Sequence, residues 1–371
     1  MSEKLRLTIL CGGQSTEHAV SISSAKNIVK ALNPNKYIIS VIYITHEGQW
    51  FLLDSTDHFI REEPSVLLAA GKGEPITVLL GENKALWQSR RDADRHYPVD
   101  CVFPMIHGTM GEDGALQGLL EFLSVPYVGA DVQSSALCIE KDVTKRLLRQ
   151  AGIPTPDWHT IYPNDAWDTL FPELSVRFGK TLFVKPASLG SSVCTVPVSN
   201  TAEFNAAVAR AFMHDERVLI EPRIYGREVE CAVLGNAHPK ASLPGEIIVH
   251  RDYYSYEAKY LDPQGATLQV PAILPEDVTH TIQQIAIRAF KTLHCWGMAR
   301  VDFFIEQNKT VLVNELNTVP GFTDISMYPM MWEASGLSYR DLLDQLIELA
   351  IERSQYRRAL KKIYIHETKL S

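Results

Sequence analysis

The sequence predicts an α/β domain at the N-terminus, followed by a larger region of mixed α+β structure. The apolar run "LRLTIL" precedes Gly12 and Gly13, the helical pattern "SSAKNIVKAL" and a second apolar run, "YIISVIYIT". Strand, loop, helix and strand in this order form a βαβ unit with parallel strands. From Arg227 onward, short strands follow one another closely, which is typical of antiparallel sheets.

The first domain is expected to span residues 1–129. Residues 50–96 interrupt its pattern with "GKGEP", "GEN" and "SRRDADR", and we interpret them as an excursion on the same domain. "VDCVFPMIHG" then predicts another buried strand. "GEDGALQGLLEFL" predicts a helix with acids in its first turn, where the helix dipole favours them. "PYVGAD" predicts the domain boundary.

Two further domains are expected at residues 130–222 and 223–371. "VQSSALCIEKDVTKRLLRQAG" predicts one helical stretch that ends at Gly152, with prolines beyond it. Strands "TLFVKPA", "SVCTVPV" and "RVLIEPRI" with helix "TAEFNAAVARAFM" complete a small α+β module. The last domain contains strands "EVECAVLG", "GEIIV" and "LQVPAIL", the long helix "EDVTHTIQQIAIRAFKTLHC", a hairpin and the closing helix "YRDLLDQLIELAIERSQYRRALKK".

The composition excludes several classes of function. The chain has 371 residues, of which 46% are hydrophobic, and its net charge of −8 with no basic block argues against a nucleic-acid partner. No signal peptide is evident and no apolar stretch approaches roughly 18 residues, so we expect a cytoplasmic protein that does not insert into a membrane. Six singly spaced cysteines argue against a zinc site and against disulfides.

The stretch "VLVNELNTVPGFT" indicates a metal site. Side chains alternate along a strand, so Glu315 and Asn317 share one face while Asn314 lies on the other. "VDFFI" and "TVLVNEL" flank the turn "EQNK", which places Asp302 beside Glu315 in a hairpin. Three oxygen ligands of this kind suit Mg²⁺. From the spacing alone, a sheet face that is polar but binds no metal is an equal alternative to the metal site.

"FVKPASLGSSV" indicates an anion site. It places Lys185 at the end of a buried strand, before a loop with Gly190, Ser191 and Ser192. A lysine meets phosphate as a point charge, and backbone N–H groups of such a loop approach the same anion. The stretch matches neither the P-loop nor the Rossmann pattern.

Other polar residues follow predicted strands. Glu221 and Glu228 suit an adenine amino group and ribose hydroxyls, although two solvated turn acids would have the same spacing. "DYYSYEAKYLD", with Lys259, is typical of a lid or substrate loop, with an inert surface loop as the alternative. Glu17 and His107 each come just after a predicted strand, at the edge where α/β sheets bind ligands.

In this order, the motifs "GGxSxEHxVS", "HGxxGEDGxxQG", "VKPxxxGSSV", "YEAKY" and "ExNTxPGxT" resemble those of the D-alanine–D-alanine ligases of the ATP-grasp superfamily. The resemblance covers almost the whole chain. It implies an N-terminal parallel α/β (pre-ATP-grasp) domain followed by a two-part ATP-grasp fold. It also implies a homodimer that ligates two D-alanine molecules through an acyl phosphate, for peptidoglycan precursor synthesis.

The resemblance also implies roles for individual residues. The protein would bind ATP as co-substrate together with two Mg²⁺ or Mn²⁺ ions. The ligands of the ions would be Asp302, Glu315 and Asn317. The ATP-binding residues would be Lys141, Lys185, Ser192, Glu221, Glu228 and Lys259. Glu17 would orient the amino group of the first D-alanine in a set with Ser191 and Tyr260, and His107 would line that pocket. The reacting oxyanion and the second carboxylate would be bound by Arg300, Gly321, Ser326 and Met327.

Two other functions remain open. A D-alanine–D-lactate ligase shares all of the chemistry before the second nucleophile arrives, and "YEAKY" with Tyr260 resembles the D-alanine form. A non-catalytic ATP-grasp protein that only binds ATP is the other alternative. The complete set of acids and lysines argues against it.

Overall fold

Three β-sheets organise the chain. The structure is a computed structural model that describes residues 3–80, 86–191, 194–250, 265–306 and 310–360. Within these ranges the sheets have seven, four and six strands. None of the helices there is long and apolar enough to cross a membrane.

The first sheet confirms the predicted parallel unit and extends it. Its order is β6-β5-β4-β3-β2-β1-β7, with β1 parallel to both neighbours and the other pairs antiparallel. The segment at residues 50–96 supplies the extension. The strands are β1 (Leu5–Gly12), β2 (Tyr37–Ile44), β3 (Trp50–Leu53), β4 (Gly73–Leu79), β5 (Leu86–Ser89), β6 (His96–Pro98) and β7 (Cys101–Pro104), with helices α1 (His18–Ala31), α2 (Thr56–Arg61), α3 (Pro64–Ala69) and α4 (Ala115–Phe122).

The start of α4 differs from the prediction. The helix begins at Ala115 after Gly114, whose φ of 95° is left-handed, and its first turn contains no acid. Asp113 lies in the preceding turn and accepts the N–H groups of Met110 at 2.7 Å and Ala115 at 3.0 Å. The prediction of acids in the first turn was therefore wrong, because Glu112 and Asp113 precede the helix and Asp113 stabilises the turn before it.

Two helices replace the single one predicted after "PYVGAD". They are α5 (Val132–Ile139) and α6 (Lys141–Gln150), and Glu140 between them has an extended backbone. Its carboxylate accepts the N–H of Asp142 at 3.3 Å, which caps α6. The break therefore satisfies an N–H group that would otherwise lack an acceptor. Gly152, with φ of 69°, follows α6 as predicted.

The second sheet forms a small antiparallel unit with its own core. Its order is β10-β9-β11-β8, from β8 (His159–Ile161), β9 (Leu182–Pro186), β10 (Val196–Val198) and β11 (Val218–Pro222). Helices α7 (Phe171–Phe178) and α8 (Thr201–Ala211) and the 3₁₀ turn Trp167–Thr169 cover it. Val184, Phe204 and Ile220 are fully buried in this core. We call this unit the central unit.

The third sheet has the order β15-β14-β12-β16-β17, with β13 beside β12. Its members are β12 (Gly226–Gly235), β13 (Lys240–Ala241), β14 (Gly245–Val249), β15 (Ala266–Gln269), β16 (Gly297–Glu306) and β17 (Val311–Asn317), followed or interrupted by helices α9 (Glu276–Thr292), α10 (Met327–Ala334) and α11 (Tyr339–Ala359). One apolar cluster joins it to the first sheet and contains Leu7, Ile9, Leu234, Tyr328 and Leu346.

Arg353 fastens α11 to the end of the first domain. Its buried guanidinium donates to the carbonyl oxygens of Gly129 and, at 2.7 Å, of Tyr127. It also lies over the Tyr127 ring, 4.3 Å from the centroid. The first and third sheets therefore share both an apolar core and a buried polar contact.

We expect Arg353→Ala to lower the free energy of unfolding by about 2–3 kcal/mol, because two buried carbonyl oxygens lose their donor. The midpoint of thermal unfolding measures this effect. Arg340→Ala is the matched control, since exposed Arg340 donates to one carbonyl oxygen, that of Ala31 at 3.0 Å. Equal losses in both variants would show that the buried contact adds nothing.

Candidate active site

A cleft of about 650 Å³ separates the central unit from the third sheet. One wall contains Lys185 of β9 and Glu221 of β11. The facing wall is mainly acidic and contains Glu228, Glu230, Asp302, Asn314 and Glu315. A cationic group and a row of acids therefore meet across one cavity.

A β-bulge shapes the acidic wall. Asp302 lies opposite Glu315, which confirms the prediction that these two residues are neighbours in the hairpin, but the next pair is Phe303 with Val313. Asn314 is thus an extra residue on β17, and it lines the cleft beside Glu315. The prediction that Asn314 faces away from Glu315 was wrong, because the bulge interrupts the alternation. Oδ1 of Asn314 lies 3.5 Å from Nζ of Lys185.

Arg300 is held between two acids at the base of this wall. Its guanidinium donates to both carboxylate oxygens of Asp302 at 2.7 Å, and its Nε lies 3.1 Å from Oε2 of Glu230. Burial alone would lower the pKa of Arg300, but Asp302 and Glu230 outweigh it and raise the pKa well above its ordinary value. Arg300 therefore stays charged in a buried position. Asn317, at the end of β17, accepts the N–H of Val319 at 3.0 Å.

The opposite wall depends on a carboxylate shared by two lysines. Oε2 of Glu221 lies 2.8 Å from Nζ of Lys185 and Oε1 lies 3.0 Å from Nζ of Lys145, so both lysines form ion pairs with this carboxylate. Burial would raise the pKa of Glu221, but the two ammonium groups outweigh it and lower the pKa. Lys141, the first residue of α6, donates to the carbonyl oxygen of Leu189 at 2.7 Å and lies 3.5 Å from Glu315.

Lys145 was missed in the sequence analysis. Its side chain is fully buried, and it also donates to Thr155 at 3.1 Å. The available signal was its position in α6, three residues before the buried Leu148 and four after Lys141, which places a lysine on the buried helix face. Burial, together with the charge of Lys185, lowers the pKa of Lys145 to about 8, although Glu221 opposes the shift.

A second group of polar residues lies where the first domain meets the Gly-Ser loop. The Ser191 hydroxyl donates to the buried carboxylate of Glu17. Gly108 is required nearby, since a Cβ there would lie 2.9 Å from Oε2 of Glu17 and its φ is 70°. The Ser15 hydroxyl accepts the N–H of Glu17 at 3.2 Å and donates to the carbonyl oxygen of His107 at 2.7 Å. Glu17, Ser191 and His107 are therefore neighbours, although they come from three distant parts of the sequence.

His107 links this group to the segment after β17. Its Nδ1 lies 2.9 Å from the carbonyl oxygen of Val319 and 3.6 Å from Glu112. Burial would lower the pKa of His107, but Glu112 and Glu17 outweigh it and raise the pKa. Burial also raises the pKa of Glu112.

The loop before α10 brings Gly321, Ser326 and Met327 together. A Cβ at Gly321 would lie 2.6 Å from Oγ of Ser326, so a side chain there would displace the Ser326 hydroxyl. Ser326 accepts the N–H of Thr323 at 2.9 Å. The Met327 side chain is buried in the core, but its backbone N–H lies in the first turn of α10, where helix geometry leaves N–H groups for an external acceptor.

Three residues of the predicted site lie outside the described residues. They are Ser192 in the Gly-Ser loop and Lys259 and Tyr260 in "YEAKY". The roles implied for them stay predictions. Glu228 does line the cleft, on β12.

Comparisons with known proteins agree over nearly the whole chain. The family profile described as D-ala D-ala ligase N-terminus matches residues 6–130, and that of the D-ala D-ala ligase C-terminus matches residues 147–348. A Coxiella burnetii relative named D-alanine–D-alanine ligase is 60% identical over 365 residues, which cover 98% of each chain.

Solved structures show the same fold. The D-alanine–D-alanine ligase from Coxiella burnetii superposes with a TM-score of 0.88 at 57% identity, covering 96% of this chain and 97% of that one. The Bacillus anthracis ligase complexed with ATP has a TM-score of 0.70 at 27% identity, covering 95% of this chain and 99% of that one. The predicted ATP-grasp architecture is confirmed by these likenesses.

We expect the pKa of Lys145 to appear in the pH dependence of stability. Its folded pKa of about 8 lies below the value of roughly 10.4 for an unfolded lysine, so in this window the unfolded chain holds the extra proton. The free energy of unfolding should therefore rise with pH between these values. The test is the free energy of unfolding of the wild type and of Lys145→Met, measured from about pH 7 to 10. The wild-type value should exceed that of the variant by an amount that grows with pH.

Lys36→Met provides the control. Lys36 lies at the surface beside Asp344, which raises the pKa of Lys36. The difference in free energy of unfolding between the wild type and Lys36→Met should therefore not grow with pH in the same window. A wild-type advantage over Lys145→Met that stays constant or shrinks with pH would show that the buried ammonium keeps an ordinary pKa.

Proposed function

The chain belongs to the D-alanine–D-alanine ligase family, and we propose that it joins two D-alanine molecules, with ATP converted to ADP and phosphate. The observation that carries the proposal is the cleft, where lysines of the central unit face acids of the third sheet. A nucleotide phosphate with a divalent cation is complementary to both walls. Glu17 and Ser191 lie beside this cleft as a separate polar pocket for the amino acid.

The nucleotide occupies the cleft in this proposal. The related ligase from Bacillus anthracis is described as complexed with ATP. Lys141 and Lys185 contact the phosphates as point charges, and Glu228 accepts from ribose hydroxyls. Because the Glu221 carboxylate is already bound by Lys145 and Lys185, we propose that it acts mainly by holding Lys185 toward the phosphates. Ser192 and Lys259 belong to the same proposal.

The acidic wall fits Mg²⁺ or Mn²⁺. Asp302 and Glu315 lie opposite each other on adjacent strands and both line the cleft, and the bulge adds Asn314 beside them. Such hard oxygen donors suit these ions, and the Asn317 oxygen retains a second lone pair beyond its bond to Val319. A bound ion would neutralise charge on the transferred phosphoryl group.

Arg300 stays in place when Asp302 shares its carboxylate with an ion. Glu230 then remains as its second anionic partner, at 3.1 Å. The guanidinium and the Gly321 N–H thereby remain available to the oxyanion of the tetrahedral intermediate. Each such donor contributes roughly 3–4 kcal/mol to transition-state stabilisation.

The reaction proceeds in two displacements. A carboxylate oxygen of the first D-alanine attacks the γ-phosphorus of ATP, the bond to ADP breaks, and an acyl phosphate forms. The neutral amine of the second D-alanine then attacks the acyl carbon, and phosphate leaves as the peptide bond forms. Glu17, supported by Ser191 and Tyr260, orients the first ammonium, while Ser326 and the Met327 N–H bind the second carboxylate.

The cellular setting is part of the proposal. All six cysteines are free, which suits the reducing cytoplasm where ATP is abundant. A homodimer is proposed from the family resemblance alone. The dipeptide would be a peptidoglycan precursor.

The test of function is a product assay. With ATP, Mg²⁺ and D-alanine we expect dipeptide, ADP and phosphate in equal amounts, and none without the ion. L-alanine should give no product. Adding D-lactate from about pH 6 to 9 tests the alternative acceptor, because its hydroxyl, unlike the ammonium of D-alanine, needs no prior deprotonation at low pH. Equal phosphate release with L-alanine, or none with any D-amino acid, would reject the ligase assignment.

We expect Asp302→Asn and Glu315→Gln each to lower kcat by roughly 10²-fold or more, the effect of losing one transition-state contact. Both changes remove charge with little change in volume, so thermal unfolding should show a folded protein. Glu306→Gln, at the far end of the same strand as Asp302, is the control and should keep its activity. Near-normal kcat at saturating Mg²⁺ in either variant would remove that residue from the metal site.

A further inference from the structure

Helix α1 contacts both proposed amino-acid subsites. Glu17 lies at its N-terminal cap, where it binds Ser191. Ser24 and Asn27 follow two and three turns later and point toward the loop 321–326. One rigid helix therefore sets the distance between the pocket for the first amino acid and the loop proposed to bind the second.

Phe322 is the fixed end of that loop. Its ring is fully buried between Phe103, Tyr328 and Tyr339. Its N–H donates to Oγ of Ser24 at 3.1 Å, and its carbonyl oxygen accepts from the Tyr339 hydroxyl at 3.0 Å. Packing and hydrogen bonds together fix this residue.

Asn27 extends the attachment beyond Phe322. Its Nδ2 donates to the Phe322 carbonyl oxygen at 3.3 Å and to Oδ1 of Asp324 at 3.0 Å. Asp324 and Ile325 are exposed, so the bond to Asp324 restrains the part of the loop that packing does not. Thr323 lies between the two residues that Asn27 holds.

Thr323 transmits this restraint to the second subsite. Its N–H and its hydroxyl bond to Oγ of Ser326 at 2.9 Å and 2.8 Å. Ser326 caps α10, whose first N–H belongs to Met327. A shift of Thr323 therefore moves the hydroxyl and the N–H that would receive a carboxylate.

The loop has space into which it can shift. A pocket of about 340 Å³ lies behind it, lined by Asn27, Lys30, Asp324, Met330 and Tyr339 among others. Its presence means that neighbouring atoms do not by themselves hold residues 323 and 324 in position. A direct bond is needed for that purpose.

We propose that Asn27 is a positioning residue for the second substrate, which holds the loop 322–326 so that Ser326 and the Met327 N–H receive the carboxylate of the incoming amino acid. The proposal rests on the proposed ligase function. It assigns Asn27 no contact with substrate and no part in forming the acyl phosphate. Loss of Asn27 should therefore affect the binding and attack of the second D-alanine and not the formation of the acyl phosphate.

Hydroxylamine separates the two halves. It attacks the acyl carbon through nitrogen and releases phosphate, which gives the hydroxamate of the first D-alanine. Since hydroxylamine has no carboxylate, this reaction requires the first subsite and the nucleotide but not the second subsite. Dipeptide formation requires all three.

The test variant is Asn27→Asp, which keeps the volume but replaces the donor with a carboxylate facing Asp324. We expect the KM for the second D-alanine to rise by roughly fivefold to tenfold, as for loss of a hydrogen bond to a charged partner. Hydroxamate formation at low D-alanine should stay within about twofold of wild type. The double variant Asn27→Asp with Asp324→Asn exchanges donor and acceptor. It should bring the KM for the second D-alanine most of the way back to the wild-type value.

Asn236→Asp is the matched control. Asn236 likewise joins two distant elements through a backbone carbonyl, that of Leu349 at 3.1 Å, and a carboxylate, that of Glu352 at 2.8 Å. Its bonds join the end of β12 to α11 rather than to the loop 322–326, so any loss of stability should leave the KM for the second D-alanine unchanged.

The proposal is overturned if Asn27→Asp leaves that KM unchanged, if the exchanged pair does not recover it, or if hydroxamate formation falls in parallel. These results leave the ligase function in place, because wild-type protein still forms dipeptide. Failure of the wild type to form either dipeptide or hydroxamate would instead reject the proposed function.

Discussion

The arrangement of the cleft depends on one buried carboxylate, that of Glu221, which binds the ammonium groups of Lys145 and Lys185. A single buried ammonium without a partner would lose its proton or unfold the site, and two would also repel each other. Glu221 lowers this cost and leaves one net positive charge at the cleft. Lys145 lies on α6, whose Leu148 packs with the third sheet, so the same ion pair joins the two sides of the cleft.

The acidic wall uses the same arrangement with the signs exchanged. Arg300 lies between Asp302 and Glu230, so these three groups carry one net negative charge, to which Glu228 and Glu315 of the same wall add. The two walls approach each other through Lys185 with Asn314 and Lys141 with Glu315, both at 3.5 Å. These distances are long for hydrogen bonds or ion pairs, so the contacts are weak. Phosphate oxygens and a divalent cation would therefore replace weak contacts with stronger ones.

Much of this architecture follows from the sequence, and the exceptions share a cause. The hairpin made Asp302 and Glu315 expected neighbours, but their direct pairing depends on the bulge, because the register of Ile305 with Val311 would otherwise place Asn314 opposite Asp302. The bulge was not predictable, since no local sequence pattern marks where the extra residue is inserted. The helix break at Glu140 was not predicted, and the carboxylate of Glu140 has a partner far along the chain, Ser188 at 3.0 Å. The spacing of Lys145 indicated a buried helix face, but its ionic partner, Glu221, is likewise distant in the sequence. Local patterns do not identify such partners.

The distribution of cores explains why the pocket around Glu17 is assembled from polar contacts. The first and third sheets share an apolar cluster, whereas the central unit buries its own. Ser191 reaches Glu17 from the edge of the central unit, so displacement of that unit would break this hydrogen bond without exposing either core. Breaking a hydrogen bond costs little when water replaces the partner, whereas exposing an apolar core to water is costly. A site that must admit two amino acids and release a dipeptide is therefore best closed by the unit that shares no core with the first sheet.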